Sequence, residues 1–130
     1  MKQIIFSITL LILTFEFIFL SVNVIKKRVS RSVTEELKNQ AIRAHGNFIE
    51  YTPFTLILLL ILVLQNLPTI IFLILCILLI LGRSIHAYGL LKLETQSPKK
   101  FWGRVLGMGL TFTTIILASL LIFMMSILLQ

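Results

Sequence analysis

The sequence predicts an all-α membrane protein, an antiparallel four-helix transmembrane bundle, on three observations. Hydrophobic residues make up 58% of the 130 positions and the mean hydropathy is +1.03, more apolar side chain than a soluble domain of this length can enclose. Four apolar segments can be drawn, each long enough for the roughly 30 Å hydrocarbon slab, which takes about 20 helical residues. The segments are continuous apolar runs without period-two alternation. They therefore read as helices and not barrel strands, because lipid requires every backbone group to be paired internally.

The first segment runs from about Ile4 to Ile25. Lys2 ahead of it is how a signal sequence begins, but the run is too long and no small-x-small cleavage site follows, so it is read as a span of the mature chain. The second runs from Leu37 to Leu64 with a polar first third. A capping box of Ser32 with Glu35 is expected to start it early, so that it projects into the cytoplasm before entering lipid. Pro53 is expected to kink it and free the carbonyl of Ile49. The third runs from Pro68 to Leu91 after a tight uncharged turn, Gln65-Asn66-Leu67-Pro68. The fourth runs from Phe101 to Leu129, where Gly103 and Gly107 form a small-xxx-small pair suited to close helix packing. Short connections favour an up-down bundle, and residues 1–130 form one domain with no internal repeat. Cys76 is expected to be a buried packing thiol; with no second cysteine an intrachain disulfide is impossible.

Orientation follows from the cations. Lys26, Lys27, Arg28, Arg31, Lys38 and Arg43 lie in or beside the first connection, and Arg83, Lys92, Lys99, Lys100 and Arg104 in or beside the third, which leaves only Lys2 of the twelve on the other face. The positive-inside rule then places both long connections in the cytoplasm and both termini outside. The net charge of +7 is thus a signal of topology and lipid headgroups, and no aromatics interleave the basic residues as nucleic-acid binding would need.

At about 100° per residue, Arg43, Asn47 and Glu50 share one face of the second helix, while His45 points to the far side and serves a different neighbour. Arg83 and His86 share a face of the third helix, Tyr88 turns away, and Arg104 opens the fourth. Counting back about 20 residues from each extracellular helix end puts Arg43, Glu50, Arg83, His86 and Arg104 within roughly 10 Å of the cytoplasmic boundary. Glu16 lies at the depth of Arg83 and is expected to pair with it, within or between chains. Plainer roles stand beside these. An arginine at a helix end commonly snorkels to phosphate, and two histidines without a third donor make a poor metal site, so no metal is expected. Glu50 has no stem long enough to snorkel, and a charge in the bilayer costs roughly 2.5 to 3.5 kcal/mol on insertion scales.

These residues resemble the MAPEG family, the membrane-associated proteins in eicosanoid and glutathione metabolism. Arg43-Ala44-His45-x-Asn47-x-x-Glu50, followed by Pro53-Phe54, is similar to the family's second-helix signature. Gly82-Arg83-Ser84-Ile85-His86 is similar to its third-helix motif, and Arg104 occupies the place of its catalytic arginine. The resemblance implies a homotrimer with glutathione in a cytoplasm-facing cleft between neighbouring subunits. It assigns glutathione contacts to Arg43, His45, Asn47, Glu50, Arg83 and His86, with the thiol directed at Arg104. The Asn-Phe-x-Glu-Tyr-x-Pro variant is similar to that of bacterial inner-membrane members. Glutathione carries two carboxylates and one ammonium, which several guanidinium groups and one carboxylate would match.

The function implied is a membrane glutathione transferase or peroxidase acting on a hydrophobic electrophile or lipid hydroperoxide. Val105 and Met108 follow Arg104 where prostaglandin E synthase-type members carry hydroxyl groups, and Tyr88 is not in the position of their third-helix tyrosine, which argues against an isomerase. The main alternative is a non-catalytic family member that binds lipid or a partner protein. A small transporter or channel is a third class, against which the gathering of charge at one depth counts.

Overall fold

The computed structural model describes residues 1–65, 67–93 and 101–128. They form four helices: α1 (Lys2–Val29), α2 (Glu35–Leu64), α3 (Thr69–Tyr88) and α4 (Trp102–Leu128), with one π turn, Gly89–Leu93, continuing α3. No strand occurs among the described residues. All four helices are long and apolar enough to cross a membrane, and the chain is an integral multi-pass membrane protein. Asn66 of the expected tight turn, the cations Lys99 and Lys100, and Leu129 at the end of the fourth segment lie outside the described residues.

Three polar contacts set the up-and-down order. At one end of the bundle the Lys2 ammonium donates to the carbonyl of Gln65, bringing the start of α1 to the α2–α3 turn. At the other end Lys27 Nζ donates to the carbonyl of Leu37 at 3.3 Å, and His86 Nδ1 donates to the carbonyl of Arg104 at 3.1 Å. The second end carries the cations of the α1–α2 connection together with Arg43, Arg83 and Arg104.

The start of α2 differs from the expected capping box. Thr34 is the capping residue: its backbone is extended and its hydroxyl accepts from the amide of Leu37 at 3.4 Å, while Ser32 Oγ meets Ser30 Oγ at 3.1 Å. Glu35 then falls inside the first turn, where it pairs with Lys38 at 2.7 Å and does not reach back to Ser32. With 30 residues α2 is about 45 Å long. It exceeds the hydrocarbon slab, so its polar first turns extend beyond it. The helix continues through Pro53, whose missing N–H leaves the Ile49 carbonyl without its usual donor.

α3 is the most buried helix and touches the other three, whereas α1 and α4 lie across the bundle from each other. Leu13, Leu20, Phe48, Leu59, Phe72 and Leu79 fill the space between, with Cys76 buried among them. Thr9, Thr55, Thr111 and Thr114 each return their hydroxyl to the carbonyl four residues earlier, which keeps a polar group paired where no water competes.

The tightest pair is α3 with α4. A Cβ on Gly107 would lie 2.5 Å from the His86 nitrogen and 2.6 Å from the Gly82 carbonyl oxygen, and one on Gly89 would lie 2.6 Å from the Arg104 nitrogen. The two helices therefore meet backbone to backbone along a glycine seam, with Gly82 and Gly89 facing Gly107 and Gly103. That approach is what lets the His86 ring reach the first turn of α4.

Candidate functional site

At the cation-rich end, α2, α3 and α4 enclose a cleft of about 540 Å³, within the range usual for small-molecule sites of about 300–1,000 Å³. One wall is polar: Arg43 and Asn47 from α2, His86 from α3 and Arg104 from α4. The other is apolar, a strip of α4 formed by Val105, Met108, Gly109 and Phe112. An amphipathic guest, or a polar guest beside an apolar one, suits such a cleft.

Helical periodicity delivers the polar wall. Arg43 and Asn47 are one turn apart, and Asn47 Nδ2 donates to the Arg43 carbonyl at 2.9 Å. Arg104 lies in the first turn of α4, where the dipole of the helix adds positive potential to its guanidinium. His86 is buried, and because the Arg104 carbonyl can only accept, Nδ1 carries the ring proton of that bond. Nε2 is left as a buried atom with no partner among the described residues.

Arg83 is the largest fully buried side chain and lies in the core behind the cleft. Its guanidinium donates to Thr111 Oγ1 at 3.4 Å and approaches Met108 Sδ at 3.9 Å. It also faces the rings of Phe48 and Tyr51, 5.8 and 6.0 Å from their centroids, so π faces stand in for part of its lost hydration. Tyr51 in turn meets Phe112 edge-on at 5.5 Å, which connects the Arg83 enclosure to the apolar wall. Among the described residues no carboxylate pairs with Arg83 or Arg43.

The structure thus brings Arg43, Asn47, His86 and Arg104 to one cavity and places Arg83 directly behind it. Glu50 shares the α2 face of Arg43 and Asn47 but is exposed on the outside of the bundle and does not line the cleft. His45 is on the opposite side of α2, where Nε2 meets Ser21 Oγ at 2.9 Å and the ring stacks on Phe17 at 5.4 Å. The pairing expected of Glu16 takes a different form within the chain: its carboxylate accepts from Ser84 Oγ at 3.2 Å, not from Arg83. Consecutive residues on α3 point about 100° apart, and Ser84 is the one turned to α1.

Phe48, Tyr51, Met108 and Thr111 surround Arg83, an arrangement the sequence alone does not disclose; of the four only Thr111 lies outside the residues noted above. Thr111, one helical turn after Gly107 and on the same face, is the available signal for an inward polar group. Among proteins of known sequence family, the family model for MAPEG matches residues 6–124. No curated protein and no solved structure gives a match. The matched span runs through all four helices, the glycine seam and every residue of the polar wall, and the chain therefore belongs to the MAPEG family.

Proposed function

We propose that the cleft binds glutathione and holds its sulfur as the thiolate for attack on a hydrophobic electrophile or a lipid hydroperoxide. The observation that carries this reading is the two-sided cleft, three cationic or polar helix faces opposite one apolar strip. The guanidinium groups of Arg43 and Arg104 would take the carboxylates and the sulfur of the peptide, with Arg83 adding positive potential from behind. Asn47 and His86 would fix its orientation. Arg104 would lower the proton affinity of the thiol, assisted by the N-terminal turn of α4. Val105, Met108, Gly109 and Phe112 would seat the apolar acceptor, which reaches the cleft from the lipid while glutathione arrives from water.

Two balanced reactions fit. In conjugation the sulfur forms a bond to the electrophilic carbon and the thiol proton leaves to water or to the displaced group. In peroxide reduction two glutathiones become the disulfide while the hydroperoxide becomes an alcohol and water. The positive-inside rule puts this end of the bundle in the cytoplasm. Family membership supports a homotrimer in which a neighbouring subunit closes the open side of the cleft, where Glu50 and, from its own side of α2, His45 would reach the bound peptide or the subunit boundary.

Titrating purified protein with glutathione while following ultraviolet thiolate absorbance tests the proposal, with chlorodinitrobenzene and cumene hydroperoxide as acceptors. Thiolate formation and turnover of either acceptor are expected. Binding without thiolate and without turnover favours the second reading, a non-catalytic lipid- or partner-binding member, which the apolar half of the cleft wall supports. Glu50→Gln is expected to weaken glutathione binding by about 1.5–3 kcal/mol, roughly tenfold to a hundredfold in Kd, as loss of one charged hydrogen bond does. An unaltered Kd in that variant assigns Glu50 to structure alone.

A further inference from the structure

A second cavity, about 240 Å³, lies between α1 and α3 on the flank of α3 away from the cleft, and the two share no lining residue. Glu16 and Phe19 form its α1 wall, Ser84, Tyr88 and Leu91 its α3 wall, and Lys92 stands at its outer end. Apart from Glu16, Ser84 and Lys92 the surroundings are largely apolar, and Phe19 and Tyr88 are exposed on the outer surface of the bundle.

The carboxylate at the inner end is poorly compensated. It has about four acceptor positions. Among the described residues it receives one hydrogen bond, from Ser84, and Oε1 is buried without a partner. Arg83 attracts it from across α3 without touching it: its Nη1 reaches Thr111 and Met108, two aromatic rings flank the guanidinium, and Nε has no partner among the described residues. An anion in an apolar groove is stabilised by a cation brought against it, and the neighbouring rings offer a cation their negative faces. Lys92 stands at the opposite end of the groove, its backbone about two helical turns beyond Ser84.

We propose that this groove, open to the membrane, is a site for lipophilic organic cations: protonated amines, quaternary ammonium or phosphonium ions on an apolar body. Glu16 is the counter-ion, Phe19 and Tyr88 flank the charge, and the apolar body lies towards Leu91. The inference is independent of the glutathione cleft.

The test uses the full-length protein in phosphatidylcholine nanodiscs, titrated calorimetrically with tetraphenylphosphonium and with dodecyltrimethylammonium. These ions donate no hydrogen bond, so their retention reports charge. Saturable binding is expected, weakened about tenfold or more in Glu16→Gln, the loss of one charge-assisted contact, and unchanged in Arg104→Leu. Glutathione affinity is expected to be the same in Glu16→Gln as in the parent. Equal cation binding in Glu16→Gln overturns the proposal, because the carboxylate would then serve only as a distant counter-charge to Arg83. Dodecanol or laurate displacing the cations at equal concentration overturns it as well, the latter in favour of an anionic amphiphile held by Lys92. If Glu16→Gln does not fold, Tyr88→Ala at the exposed rim is expected to weaken the cations severalfold, about one cation–π contact, and undiminished binding there is equally fatal.

Discussion

Replacing Arg104 by leucine is expected to abolish the ultraviolet thiolate signal and to lower turnover of chlorodinitrobenzene by about a hundredfold to a thousandfold, the usual consequence of removing one group that stabilises reacting charge. The helix should survive the change. Arg104 is at the polar wall of the cleft, its side chain is only partly buried, and leucine is a good helix former. The bond from His86 goes to the Arg104 backbone carbonyl and is retained whatever side chain the position carries. Glutathione would still bind through Arg43 and Asn47, so the defect should fall on the rate of the chemical step more than on Kd. Parental turnover in Arg104→Leu, with the protein folded, would remove Arg104 from the mechanism and leave Arg43 in the cleft wall and the buried Arg83 behind it to hold the thiolate.

The largest structural effect is expected at the glycine seam. In Gly107→Leu a side chain would have to occupy space held by the backbone nitrogen of His86 and the carbonyl of Gly82. Backbone atoms within helices do not step aside as a flexible side chain does. The cost should reach or exceed about 3 kcal/mol, the upper end of ordinary overpacking, against a net stability that is commonly only about 5–15 kcal/mol. A marked fall in melting temperature in detergent and loss of glutathione binding are expected together, since separating α3 from α4 moves His86 away from Arg104. Gly109→Ala is the matched control. Nothing lies within 4 Å of a Cβ there, so its stability should be unchanged or slightly raised. Equal melting of both variants would show that the seam does not hold the helices together.

Much of this architecture is legible in the sequence because a bilayer simplifies the reading. Length and hydropathy define the spans, and the cations define which connections share a side. The 100° rule separated Arg43 and Asn47 from His45 correctly, and it placed Arg83 and His86 on neighbouring directions of α3. Where the reading ran short, three-dimensional crossing decided. Depth alone matched Glu16 to Arg83, yet the partner is the adjacent Ser84, because the angle at which α1 crosses α3 selects between residues that a depth count treats as equal. Phe48 and Tyr51 stood inside the recognised motif, but their role as walls around Arg83 depends on how α2 leans on α3. The cap of α2 fell to Thr34, two residues beyond the Ser32 pattern, since the chain turns once more before the helix begins. Nothing local to Gly89–Leu93 marks it as a π turn; its wider winding comes with the close approach of Gly103 and Arg104.

The extent of α2 ties the cleft to the thickness of its host membrane. From Tyr51 to Leu64 the helix is apolar for only about 21 Å, some 9 Å short of an average hydrocarbon layer. Asn47 and Glu50 therefore lie at the depth of the hydrocarbon layer, unless the bilayer thins around them. Mismatch of this kind costs fractions of a kcal/mol per Å, so short-chain lipids should relieve it and long-chain lipids should drown the polar rim. Ligand affinity measured across nanodiscs of graded acyl length should decline as the chains lengthen, which would make the surrounding leaflet a tuning element of this protein.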